Sequence, residues 1–97
     1  MKVIEVTMLD GSVWTVPVHV VARNRAEHFA HEFCGSVTMS LAEDTEPLFE
    51  SDSYEIEDWA RNNMDWSDVV RLAVRKRDAK VDFQEGWVNG EMRIVDI

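Results

Sequence analysis

The sequence is poor in the residues that usually announce a mechanism. It holds one cysteine, Cys34, so no disulfide can form within the chain, and the composition suits a reducing compartment. Four glycines and two prolines leave little for a phosphate-cradling loop. No dinucleotide fingerprint, phosphate loop or Gly-x-Ser-x-Gly elbow occurs. No apolar run approaches the roughly 18 residues that a membrane span needs. The longest, around Val16–Ala22, is interrupted by Pro17 and His19. The opening Met1-Lys2-Val3-Ile4-Glu5 carries an acid early and no small-residue cleavage site, which argues against a secretory leader and for a cytoplasmic protein. No linker, low-complexity tract or repeat divides the chain. Residues 1–97 are therefore read as a single domain with one modest core.

Negative charge is what the sequence has in excess, and it is concentrated. The formal net charge is −9. Between Glu43 and Asp68 stand ten acids, Glu43, Asp44, Glu46, Glu50, Asp52, Glu55, Glu57, Asp58, Asp65 and Asp68, against the single base Arg61. That segment alone accounts for the whole net charge, because acids and bases elsewhere balance. The sign then reverses: Arg71, Arg75, Lys76, Arg77 and Lys80 face only Asp78. A surface this acidic repels nucleic acid and anionic membrane and attracts basic grooves. The expectation is a partner protein with a basic groove, with no direct contact to nucleic acid or membrane.

The hydrophobic pattern predicts an α+β domain, an antiparallel sheet of four to five strands with two to three helices packed on one face. Residues 2–9 and 12–20 read as an N-terminal hairpin turning at Asp10-Gly11. A three-residue loop pairs Ile4 with Val18, Val6 with Val16 and Met8 with Trp14, which gathers the apolar side chains on one face. Pro17 lacks a ladder donor, so it marks an edge or the end of pairing. Ala22, Ala26, Phe29, Ala30 and Phe33 recur at helical steps over 22–34, and Gly35 is a natural stop. Ser40 with Glu43 has the form of a capping box. Pro47 should then break any long helix, leaving a short helix or irregular crossing. Residues 53–63 predict a helix with Ile56, Trp59 and Ala60 inward, Asp52 and Glu55 at its start, and a Glu57–Arg61 pair one turn apart. A helical turn at 66–70 and a strand near 71–77 follow. A C-terminal hairpin over 80–88 and 91–97, turning at Asn89-Gly90, sets Trp87 opposite Met92.

Each candidate for chemistry has a plainer alternative. His28, His31 and Glu32 can share a helix face and would make three metal ligands, with Cys34 nearby. No second ligand cluster accompanies them, His19 falls on the strand face opposite Trp14, and a solvated helix face is the preferred reading; no metal or other cofactor is expected. Cys34 at a helix C-terminus lacks the electropositive setting of a reactive thiol and reads as a partly buried hydrophobe. The carboxylates are abundant, but catalytic pairs need an enclosed pocket, so no catalytic residue is assigned and the protein is not expected to be an enzyme. The tryptophans Trp14, Trp59, Trp66 and Trp87 fall at core positions rather than on a stacking platform. The basic run reads as the solvated side of an edge strand, where Lys and Arg oppose aggregation.

Three stretches carry a resemblance. Leu9-Asp10-Gly11-Ser12-Val13-Trp14, Asp58 through Val69 (DWARNNMDWSDV) and Gln84-Glu85-Gly86-Trp87-Val88-Asn89-Gly90 resemble small acidic accessory proteins encoded by tailed bacteriophages. The resemblance brings no catalytic residue with it. It implies a phage gene expressed in a bacterial cytoplasm, where small acidic proteins often inhibit host enzymes, restriction and CRISPR systems among them.

Acids one helical turn apart recur about every 5–6 Å, the scale of successive backbone phosphates. The expectation is thus a stoichiometric inhibitor whose acidic face mimics DNA charge and occupies a host nucleic-acid-handling protein. Its contact residues would be Glu43, Asp44, Glu46, Glu50, Asp52, Glu55, Asp58, Asp65 and Asp68. The alternative is a self-associating assembly or accessory module with no inhibitory role, a homodimer in which the basic stretch of one copy meets the acidic stretch of another.

Overall fold

The computed structural model describes residues 2–77 and 87–97. They form an α+β fold in which an antiparallel sheet of order β3-β2-β1-β4 is joined by helices. The strands are β1 (Lys2–Thr7), β2 (Val13–Pro17), β3 (Val74–Arg77) and β4 (Glu91–Asp96). The period-2 pattern of β1 sends Ile4 and Val6 to one face, where Val16 and Trp14 of β2 and Ile94 and Met92 of β4 lie opposite them. The strand residues of the main hydrophobic cluster come from this face, and Val3 on the other face is buried as well. The other face carries Glu5 and Arg93, direct cross-strand partners joined at 2.7 Å.

The N-terminal hairpin forms, but its register differs from expectation. Ile4 pairs with Val16 and Val6 with Trp14, a slip of two residues that leaves every side chain on its anticipated face. The cause is a five-residue loop, Met8–Ser12. The Met8 N–H donates to the Ser12 carbonyl at 2.7 Å, and the Gly11 N–H donates to the Met8 carbonyl at 2.9 Å. The Asp10 carboxylate accepts from both the Ser12 N–H and its hydroxyl, and Gly11 supplies the positive φ of 89°.

β2 ends at Pro17, which takes the N-cap position of α1 (Val18–Phe29). The helix thus starts four residues earlier than the sequence pattern suggests, and His19 lies on it rather than on a strand. Val18 and Val21 extend the stripe of Ala22 and Ala26 by one turn, and all four are buried. Their β-branched character favours a strand locally, and packing overrides it. A 3-10 turn (Ala30–Phe33) closes the segment. Cys34 and Gly35 both take positive φ, and the Gly35 N–H returns to the Ala30 carbonyl at 2.8 Å. Cys34 is exposed there, not partly buried as its apolar character suggests.

Pro47 does not break the following helix. Ser36 caps α2 (Val37–Ser40) by accepting from the Met39 N–H, so the capping role belongs to Ser36 and not to Ser40, which is buried. The helix continues through a π turn (Leu41–Thr45) into α3 (Glu46–Ser51). Proline has no N–H to give to the carbonyl one turn back. The wider turn takes up that mismatch, with the Glu46 N–H reaching the Leu41 carbonyl.

Helix α4 (Tyr54–Asn63) buries Ile56 and Ala60 on the side that the sequence predicts. α5 (Trp66–Val69) is opened by a capping box between Asp65 and Asp68. A 3-10 turn (Val70–Leu72) then leads into β3. The C-terminal hairpin is not formed at its expected turn: Trp87, Val88 and Asn89 are helical, and β4 pairs with β1 instead. Residues 80–86 of the strand expected over 80–88 lie outside the described residues. Trp87 is fully buried and donates its indole N–H to the carbonyls of Ala60 and Met64, so it does not face Met92 across a hairpin. Among the described residues no helix is long and apolar enough to cross a membrane.

Candidate interaction face

The ten acids of the central segment divide by side-chain length. The aspartates all bond to groups of their own chain. Asp44 pairs with Arg25 at 2.9 Å. Asp52 accepts from the Tyr54 N–H at the start of α4. Asp58 accepts from the Asn62 amide through both its carbonyl and its carboxylate. Asp65 and Asp68 exchange hydrogen bonds across the first turn of α5, the Asp65 N–H lying 2.7 Å from Asp68 Oδ2. A short acidic side chain reaches nearby backbone donors easily, and a helix start is where such donors lack partners.

The glutamates behave differently. Glu43 on the π turn and Glu46 and Glu50 on α3 are exposed, and no cation among the described residues is paired with them. Glu46 and Glu50 stand one turn apart on the rim of a shallow depression of about 190 Å³. Its floor includes Val18, Ala22 and Phe49, and Lys2 and His19 complete the lining. Glu55 and Glu57 are half-buried on α4. The exposed acids of the run are thus Glu43, Glu46 and Glu50 with Asp52 near them in sequence, and Asp65 and Asp68 further on at α5.

Two arginines, Arg61 and Arg25, are committed elsewhere. Arg61, expected to pair with Glu57, donates instead to the carbonyls of Val88 and Gly90 at 2.6 and 2.7 Å. Arg25 is nearly buried, with 13% of its side chain exposed. It binds Asp44 and the buried Thr45 hydroxyl and lies over the rings of Phe29 and Trp59. Nothing in the sequence marked Arg25 for this role, since it sits between Ala22 and Ala26 on the apolar stripe. β3 is an edge of the sheet among the described residues, as the basic run suggested. Arg75 is exposed and its guanidinium lies 5.6 Å from the Trp14 ring centre.

All four tryptophans belong to the core or pack on it. Trp14 meets Trp66 edge-on at 5.3 Å, and Trp66 lies 6.1 Å from Trp87. The half-buried Trp59 donates its N–H to Asn24 at 2.9 Å. His28 packs edge-on against Phe29 and Trp59, and the His31 ring nitrogen lies 3.2 Å from the His28 carbonyl. Among the described residues no three His, Cys, Asp or Glu side chains gather to hold a metal ion. The chain matches no protein-family model, no curated protein and no solved structure.

Proposed function

We propose that this protein is a non-enzymatic binding protein whose acidic face occupies the basic, nucleic-acid-binding groove of another protein. The expected setting is a small phage-type inhibitor acting in a bacterial cytoplasm on a host defence protein. One observation carries the reading: Glu43, Glu46 and Glu50 are exposed along one continuous helical run with no cation among the described residues paired to them, while Arg61 and Arg25 serve internal carbonyls and Asp44. The acidic surface is therefore left for an external cation. Recognition of this kind is steered electrostatically and weakens with salt.

The test is affinity capture of bacterial nucleic-acid-binding proteins on the immobilised protein, released by a salt ladder, beside the triple variant E43K/E46K/E50K. A partner released at moderate salt, lost in the variant, and displaced by duplex DNA supports the reading. A partner retained by the variant sinks it. The basic edge of β3 favours one second reading, self-association through the acidic run of another copy. A salt-sensitive dimer in light scattering would select it.

A further inference from the structure

A second surface lies between α1 and the α4–α5 segment, with His19 between it and the depression beside Glu46 and Glu50. Two depressions share Asn24 and Glu27 and so join end to end. One, about 270 Å³, is lined by His19, Val20, Arg23, Met64, Asp68 and Leu72 besides the shared pair. The other, about 600 Å³, adds His28, Trp59, Asn62 and Asn63. The first end is the more apolar: Met64 is buried at its base, Val20 is half-buried, and Leu72 stands 53% exposed at the lip. The second end is rich in carboxamides.

The orientations of two of those carboxamides are dictated by their partners. The Trp59 indole nitrogen can only donate, and it donates to Asn24 Oδ1. Asn24 therefore presents its amino group to the groove, and no acceptor among the described residues takes it. The Asp58 carbonyl and carboxylate can only accept, and both accept from Asn62 Nδ2. Asn62 is thereby left with its carbonyl oxygen as the free group. One helix thus offers a donor and the other an acceptor. Both are held from behind, which lowers the entropy cost of binding. The charged groups on the wall have partners of their own: Arg23 and Glu27 pair at 3.0 Å, and Asp68 accepts from the Asp65 N–H at 2.7 Å.

An extended residue presents its own N–H and C=O on the same edge. That is the complement of one donor and one acceptor in a shared groove. A free cation or anion gains nothing from this neutral pair. Arg25 lies over the ring of Trp59 and His28 packs edge-on against it, which disfavours a stacked sugar. We propose that this groove binds an extended peptide segment of a partner protein. Asn62 Oδ1 would take one of its N–H groups and Asn24 Nδ2 its C=O, and an aliphatic side chain would sit against Val20, Met64 and Leu72. The proposal is independent of the acidic face.

The test is titration of the ¹⁵N-labelled full chain with acetylated, amidated Gly-Gly-Leu-Gly, with the all-glycine tetrapeptide and with cellobiose. The readouts are the side-chain amide signals of Asn24 and Asn62 and the indole signal of Trp59. Saturable millimolar shifts with the leucine peptide are expected, about tenfold weaker for the all-glycine peptide and for Asn62→Ala, the scale of one oriented contact. Leu72→Glu, at an exposed site, should weaken the leucine peptide towards the all-glycine one. Backbone signals elsewhere report that each variant is folded. No saturable shift, equal shifts for both peptides, an unaffected Asn62→Ala, or a response to cellobiose alone overturns the proposal.

Discussion

The indole N–H of Trp87 lies 2.9 Å from the Ala60 carbonyl and 3.0 Å from that of Met64, one donor serving two acceptors where α4 ends. Carbonyls in a last helical turn have no partner within their helix. Arg61 of α4 returns the favour by donating to Val88 and Gly90. The end of α4 and the 87–90 segment are therefore tied in both directions, and the tie places β4 beside β1.

Trp87→Phe removes the donor and part of the ring while leaving both carbonyls buried. The expected loss is about 2–4 kcal/mol, combining a partial cavity with unsatisfied polar groups. Urea unfolding followed by circular dichroism would measure it. Arg61→Gln should cost less, about 1–2 kcal/mol, because its charged hydrogen bonds are partly solvated.

Ser40 is buried within α2, and its hydroxyl has no hydrogen-bond partner among the described residues. Burying such a group costs about 1–3 kcal/mol, and alanine is the better helix former. Ser40→Ala should therefore raise the thermal midpoint, and a drop in differential scanning calorimetry would contradict the assignment.

Arg25 joins three elements: it sits on α1, binds Asp44 and Thr45 of the π turn, and covers Phe29 and Trp59. Arg25→Met keeps the stem and removes the charge. It should destabilise the fold by about 2–3 kcal/mol, the range for hydrogen bonds to a charged group whose partners are left behind. Asp44→Asn should recover part of that loss in the double variant, which a double-mutant cycle would read as coupling.

The exposed glutamates repel one another. E43K/E46K/E50K should unfold at the same temperature as the parent or higher, even as it loses its partner. Added salt should raise the midpoint of the parent more than that of the variant, since the variant carries the smaller net charge and so less repulsion for screening to remove. A variant that unfolds at lower temperature in low salt would show that these residues stabilise the fold.

Local pattern carried much of the architecture. The alternation of Ile4, Val6 and Val16 specified the core face of the sheet, and Ile56 and Ala60 the buried face of α4. The Asp10-Gly11 turn was legible, but the length of its loop was not, because Met8 and Ser12 bond only once the loop has closed. The Val18–Val20 run read as strand because its helical stripe becomes decisive only against a core. The Asn89-Gly90 pair signalled a turn in isolation, yet burial of Trp87 on α4 outweighed it. At the interaction face the sequence showed how many acids there are. It did not show that the aspartates bond to the chain itself while Glu43, Glu46 and Glu50 are exposed with no cation of the described residues paired to them. That division depends on which backbone donors and arginines the fold brings within reach.

The strand order β3-β2-β1-β4 also has a consequence in time. β1 and β2 are neighbours in sequence and can pair early, but the other edge of β1 waits for β4, and Glu5 meets Arg93 across 88 positions of sequence. Contacts of such separation close slowly. Until residues 91–96 leave the ribosome, the nascent hairpin holds a bare apolar strand edge, the kind of template that invites mispairing between chains. Yield of this protein should depend on how fast β4 is made.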